Sequence, residues 1–228
     1  MPIYLLGEST VFPAAENANR EGIVAVGGDL SPERLLNAYA GGIFPWYSDG
    51  DPILWWSPSP RMVLFPGELH VSKSMRKLLQ KVPPWFHWTV DRHFREVIEN
   101  CRTAPRKGQA GTWITNEMRE AYICLHELGF CHSLEVWRGK ELVGGIYGLS
   151  LGKCFFGESM FSKVRNASKF AFITLAQQLL QREFLMLDCQ VPSGHLRTLG
   201  AREIPRKKFL GLLKQGLQSK TLVGKWEF

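Results

Sequence analysis

The chain has 228 residues, 45% of them hydrophobic and 12% aromatic, enough for one large domain or a small one beside a larger; a disordered chain is excluded. Lys and Arg outnumber Asp and Glu by 28 to 21, a net charge of +7 that favours a polyanionic partner, nucleic acid first and an anionic membrane surface second. No apolar run reaches the roughly 18 residues of a membrane span. Met1 to Leu6 lacks the basic and apolar regions of a signal peptide, and five cysteines without a CxxC pair read as reduced cytoplasmic thiols.

The first 60 residues are rich in Gly, Pro and Trp. Gly27-Gly28-Asp29 forms a turn, and Ser31 with Pro32 predicts a helix start, a capping hydroxyl ahead of a proline in the first turn. The helix Glu33–Ala40 carries Leu35, Leu36 and Tyr39 and stops at Gly41-Gly42. Ile43–Tyr47 and Ile53–Pro58 are aromatic and broken by proline, so they read as loops packed over something flat. Pro58, Pro60 and Pro66 mark a boundary, dividing the chain into 1–60 and 61–228.

Beyond it, Ser72 caps a basic helix holding Lys73, Arg76, Lys77 and Lys81, Phe86–Val90 reads as a strand, and Phe94, Val97 and Ile98 mark a further helix. Arg102–Gly111 reads as a mobile basic loop. Thr115 caps a helix with Met118, Ala121, Tyr122, Leu125 and Leu128 at helical period, ending at Gly129. Strands Cys131–Trp137 and Leu142–Leu149 follow as an antiparallel pair, then strand Cys154–Gly157, helix Ala167–Gln181 and strand Phe184–Cys189. Pro192–Gly194 opens a short helix, and Arg202 to Lys225 is a basic tail with Phe209, Leu210 and Leu213 on one helical face. Antiparallel strands followed by a β-α-β crossover predict an α+β fold, its sheet split at the crossover to leave a cleft between two strand ends.

That crossover, from Phe155 to Gln190, carries the chemistry. Each of its strands ends in carboxylate or amide side chains, at the place where open sheets bind ligands. His126-Glu127 with His132 has the wrong spacing for HExxH zinc chemistry. GxxxxGK[ST] does not occur, and Gly157-Glu158-Ser159 followed by Met160 does not supply the GxSxG of a Ser-His-Asp hydrolase. Asp188 closes an apolar run, so its carboxylate needs a partner, hydrogen bonds or a task, a helix cap being the plain alternative. Alternation along the strand puts Gln190 on the same face as Asp188. Glu158 after Gly157 reads either as a second site carboxylate or as half of a salt bridge. Trp46 and Trp113, in Gly/Pro-flanked loops, read as core packing or as platforms for a nucleobase.

Taken together, GGDLSPERLLNAY, GGIFPWYSDGDPILWWSPSPR, GTWIT, VGGIYG, FFGESMFS, NASK and LDCQV make the chain resemble the bacterial leucyl/phenylalanyl-tRNA–protein transferases over almost its whole length. The resemblance implies a small N-terminal domain on a C-terminal domain of GNAT type. It further implies transfer of leucine or phenylalanine, and less well methionine, from charged tRNA to the N-terminal Lys or Arg of acceptor proteins, which then enter N-degron degradation. An aminoacyl ester is already activated, so neither ATP, metal nor other cofactor is expected. The attacking α-amine must lose a proton, which Asp188 and Gln190 are expected to assist as catalytic residues.

By the same resemblance Trp46 and Trp113 contact the terminal adenosine, and Glu158, Tyr39 and Tyr122 belong to the substrate site. Ile146, Phe155, Met160, Phe172, Leu175 and Leu187 match the apolar pocket. The basic excess is assigned to tRNA phosphates through Lys73, Arg76, Lys77, Arg106, Lys107, Arg206, Lys207 and Lys208. A monomer without membrane contact is expected. An acyl-CoA-dependent transferase is the chief alternative, but Lys163–Ser168, where a pyrophosphate loop would lie, has no glycine. A non-catalytic tRNA-binding module is the second alternative; it has no need of the Asp188/Gln190 pair.

Overall fold

The computed structural model describes residues 3–81, 84–104 and 113–227. Among these the strands form two sheets, and the fold is α+β. The smaller has the order β1-β2-β4-β3, built from β1 (Tyr4–Leu6), β2 (Ile23–Gly27), β3 (Phe44–Pro45) and β4 (Leu54–Trp56), with helix α1 (Pro32–Ala40) beside it. The aromatic segments expected as loops therefore contain short strands. Trp55 is fully buried between them, and its indole donates to the Gly27 carbonyl at 2.8 Å. Ser31 does not cap α1 through its hydroxyl; instead the Asp29 carboxylate accepts the Ser31 N–H at 2.8 Å and meets Arg34 at 3.2 Å. Those partners hold the Asp29 carboxyl down at about 2.

The larger sheet has the order β11-β5-β10-β9-β8-β7-β6. Its strands are β5 (Arg61–Leu64), β6 (His87–Val90), β7 (Cys131–Arg138), β8 (Glu141–Leu151), β9 (Cys154–Ser162), β10 (Met186–Gln190) and β11 (Arg202–Ile204). Helices α2 (Lys73–Leu79), α3 (Phe94–Thr103), α4 (Asn116–Glu127), α5 (Ala167–Gln181), α6 (Gly194–Arg197) and α7 (Arg206–Gly216) complete the chain. The caps expected at Ser72 and Thr115 are present: Ser72 Oγ accepts from Met75 N and Thr115 Oγ1 from Met118 N. The helix predicted at 167–181 coincides with α5, whose apolar face lies on β7, β8 and β9. Close approach of α5 depends on glycine: a Cβ on Gly144 would come within 2.7 Å of the Ala167 Cβ.

Among the described residues β9 and β10 are the one parallel pair of this sheet, and they pair only from Cys154/Met186 to Phe156/Asp188. Beyond that point the strands part. Each is also bulged there. In β9, Gly157 pairs with Gly148 and Ser159 with Tyr147, leaving Glu158 as the extra residue. In β10 the register on β5 shifts between Asp188 and Gln190, and Gln190 takes φ +61. A bulge bends a strand and re-aims a side chain, so the two facing bulges turn Glu158 and Gln190 toward each other across the split.

Candidate active site

At the split lies a cavity of about 350 Å³, within the roughly 300–1,000 Å³ of small-molecule sites. Its inner part is apolar, from Ile146, Met160, Phe172 and Leu187, and its rim carries Trp46, Trp113 and Val191. Trp46 is 39% exposed, held by a neighbour: its carbonyl accepts the Trp56 indole N–H at 2.6 Å. Phe44, Pro45 and Leu196 also line the cavity. Sequence reasoning did not single them out, although Phe44-Pro45 directly precede Trp46.

Where the apolar interior meets the polar wall stands Glu158. Gln190 Nε2 donates to its Oε1 at 2.8 Å, bridging the split. Tyr39 Oη donates to Oε1 at 2.6 Å and Tyr122 Oη to Oε2 at 3.0 Å. The two phenols also make a short hydrogen bond to each other. Three oxygen–oxygen contacts thus link Tyr39, Tyr122 and Glu158, whereas two phenol hydroxyls supply only two protons. When Glu158 is protonated, its acid proton supplies the third and reverses the Tyr122 contact, closing the ring: Glu158 to Tyr122, Tyr122 to Tyr39, Tyr39 back to Glu158. Withdrawal from water raises the Glu158 carboxyl from 4.5 to about 7, against the opposing pull of its three hydrogen bonds. Both phenols are raised, by burial first and by the neighbouring Glu158 charge second.

Asp188 occupies a different place from the one alternation predicted. It is fully buried and does not line the cavity. Its Oδ1 accepts Arg61 Nε at 2.9 Å and the Gln190 N–H at 2.9 Å, and its Oδ2 accepts Arg61 Nη2 at 2.6 Å. The shared face expected for Asp188 and Gln190 is lost because the register shift and the positive φ rotate Gln190 out of alternation. Arg61, fully buried, also reaches the Gly42 carbonyl at 3.3 Å and lies 4.7 and 4.4 Å from the ring centres of Phe44 and Phe209. Sequence reasoning overlooked it. An arginine heading an apolar strand-length run, RMVLF, was the available signal, as the partner a buried LMLDC carboxylate requires.

Two of the expected pocket residues lie elsewhere. Phe155 and Leu175 are buried one layer behind the cavity wall rather than on it. Of the basic residues, Lys73, Arg76, Lys77, Lys207 and Lys208 are exposed, while Arg106 and Lys107 lie outside the described residues. Arg206 is tied to the Ser57 carbonyl at 2.5 Å and the Glu16 carbonyl at 3.5 Å, so it anchors α7 to the smaller unit before it can serve a phosphate. Its partial burial lowers its pKa. Among the described residues no cluster of three or more His, Cys, Asp or Glu is arranged to hold a metal, and no helix is long and apolar enough to cross a membrane.

Comparison with known proteins agrees along the chain. The family model described as leucyl/phenylalanyl-tRNA protein transferase matches residues 63–214, and that of the family's N-terminal domain matches 28–59. A leucyl/phenylalanyl-tRNA–protein transferase of Syntrophus aciditrophicus is 57% identical over 99% of this chain and 94% of its own. Those of Myxococcus xanthus and Flavobacterium johnsoniae are 54% and 55% identical, over 99% and 93% of this chain and 97% and 99% of theirs. A solved C-terminal domain of a lysylphosphatidylglycerol synthetase, described as putative, from Agrobacterium fabrum superimposes only loosely, with a TM-score of 0.35 at 10% identity over 82% of this chain and 57% of that one. The chain belongs to the leucyl/phenylalanyl-tRNA–protein transferases, a family of aminoacyltransferases.

Proposed function

We propose that this aminoacyltransferase moves leucine or phenylalanine, and less well methionine, from aminoacyl-tRNA to the N-terminal Lys or Arg of acceptor proteins in the cytoplasm, marking them for N-degron degradation. The observation that carries the reading is the Gln190–Glu158 contact across the split, set beside an apolar cavity rimmed by tryptophans. The amino-acid side chain enters against Ile146, Met160, Phe172 and Leu187. The terminal adenosine stacks at Trp46 and Trp113, and the ester carbonyl comes to rest near Glu158. Parting of the parallel β9/β10 pair supports the GNAT-like reading of residues 61–228, the acyl carrier entering at the split.

The acceptor amine, with an ordinary pKa of about 7.7–8.0, arrives largely protonated and gives one proton to solvent before it can attack. Glu158, poised at about 7, takes a second proton from the nitrogen in its ionised form as the free amine attacks the ester carbonyl. A C–N bond forms, the ester C–O bond breaks, and the ribose oxygen leaves with the proton that Glu158 returns. Gln190 orients the amine. Asp188 acts one step back as a positioning residue, fixing the Gln190 N–H in its unusual backbone conformation. Exposed Lys73, Arg76, Lys77, Lys207 and Lys208 supply phosphate contacts, and the enzyme works as a monomer.

The test supplies phenylalanyl-tRNA and a peptide beginning with Arg, with labelled acetyl-CoA in a parallel tube. Extension of the peptide by phenylalanine alone is expected. Acetylation without extension, or tRNA binding without either, refutes the reading.

A further inference from the structure

Behind the cavity lies a second space. Phe155, Leu175, Leu134, Val90, His132 and Trp226 line a narrow, closely packed slot with no room for a water molecule. Three pairs of neighbours connect slot and cavity. Leu134 pairs with Ile146 across β7 and β8, and Phe155 pairs with Leu187 across β9 and β10. Leu175 stands one turn along α5 from Phe172. In each pair one member lines the cavity and the other lines the slot. Cross-strand partners share a face, as do helix positions three apart, so the slot is the next layer beneath the cavity floor. The Phe155 ring fits there over a glycine: a Cβ on Gly148 would sit 2.6 Å from its Cε1.

Trp226 closes the far side of the slot. Its ring stacks on His132 at 3.8 Å and stands 5.9 Å from that of Phe155. The segment carrying it is held at several points after α7. Gly152 N–H donates to Thr221 Oγ1 at 2.9 Å, Gly224 N–H to the Gly129 carbonyl at 3.0 Å, and Trp226 N–H to Asp91 Oδ2 at 2.8 Å. The segment crosses Gly129 so closely that a Cβ there would lie 2.2 Å from Gly224 N. Asp91 is itself fixed, accepting from Ser133 N–H and meeting His132 Nδ1, each at 2.8 Å. The ring of Trp226 is therefore a rigid stop set directly behind the cavity floor.

We propose that Trp226 sets the depth of the aminoacyl side-chain pocket, acting through Phe155 as a positioning residue for amino-acid specificity. This rests on the reading that the apolar cavity receives the transferred side chain. Removing the stop lets Phe155 withdraw into the space the indole leaves, and the cavity then accepts longer side chains. An added group in an apolar pocket changes selectivity by about 10- to 200-fold.

The experiment compares kcat/KM for tRNA charged with 4-iodophenylalanine and with leucine, using Trp226→Ala, Trp226→Phe and the cavity-lining Ile146→Ala. Trp226→Ala is expected to raise the iodophenylalanine-to-leucine ratio about 10-fold or more, with Trp226→Phe in between. A merely structural role lowers both rates together and leaves the ratio alone. If Ile146→Ala moves the ratio and neither Trp226 variant does, the proposal is overturned while the cavity assignment stands. If no variant moves it, the cavity assignment itself falls. Should the alanine variant fold poorly, the phenylalanine variant decides: a shift toward the larger side chain supports the stop, and an unchanged ratio refutes it.

Discussion

Replacing Glu158 by glutamine should make the protein more stable at alkaline pH and nearly inactive. The folded state holds the Glu158 proton up to about pH 7, whereas the unfolded chain releases it near 4.5. Between those values the folded state binds more protons, so wild-type stability declines as pH rises and levels off above 7. At about 1.4 kcal/mol per pH unit, the distance from 4.5 to about 7 corresponds to at most about 3.5 kcal/mol, an upper bound because the carboxyl faces the cavity. Glutamine does not titrate, and its amide can donate to Tyr122 while its oxygen accepts from Tyr39 and Gln190, reproducing the three-proton ring of the acid. Urea unfolding of both proteins from pH 5 to pH 9 measures the difference. It should be near zero at the acid end and reach about 2–3 kcal/mol in favour of Glu158→Gln at the alkaline end. Titrating groups that do not feel the Glu158 charge are common to both proteins and cancel, and the two phenols it raises stay protonated across this range. Transfer activity should fall by about 10²–10⁴-fold, the usual worth of a proton acceptor. Parallel stability curves, or a variant that weakens with pH relative to wild type, would sink the proton count in the Glu158–Tyr39–Tyr122 ring.

Asp188→Ala should lose about 3–5 kcal/mol of stability, because it leaves the buried Arg61 guanidinium without its counter-charge. An apolar double replacement of Arg61 and Asp188 should recover much of that in the same denaturant titration, and still transfer poorly because Gln190 is no longer fixed. Gln190→Gly should be about 1–2 kcal/mol more stable than Gln190→Ala, since only glycine takes φ +61 without strain; both should lose peptide extension. Trp46→Ala should raise KM for aminoacyl-tRNA by an amount matching about 1–3 kcal/mol of stacking, with little change in kcat. A kcat effect without a KM effect would place Trp46 at the chemistry instead of the adenosine.

Long periodic elements were legible from the sequence and the split site only partly so. Helix α5 has nine buried residues over fifteen positions and starts and stops where its composition says. The smaller sheet escaped because its strands are two to five residues long and are stabilised by partners distant in sequence rather than by their own alternation. β5 was missed because arginine reads as surface, whereas Arg61 is wholly enclosed by Asp188 and two aromatic rings. The facing bulges have no sequence signature beyond Gly157 and the change in polarity at Asp188. A register slip of one residue reverses which side chain faces inward. That is why Gln190 and Glu158, not Gln190 and Asp188, meet at the cavity.

Arg61 has a further bearing on how substrate enters. It heads the first strand of the larger sheet, yet it touches a carbonyl and a ring from the smaller unit, a ring from α7 and the carboxylate behind the cavity. Tyr39 repeats the arrangement, leaving α1 to meet Glu158. With both stitches in place the two units cannot swing apart about a hinge without exposing a bare guanidinium and breaking the tyrosine ring. Binding and release of the acyl carrier should therefore leave the overall dimensions of the molecule in solution unaltered.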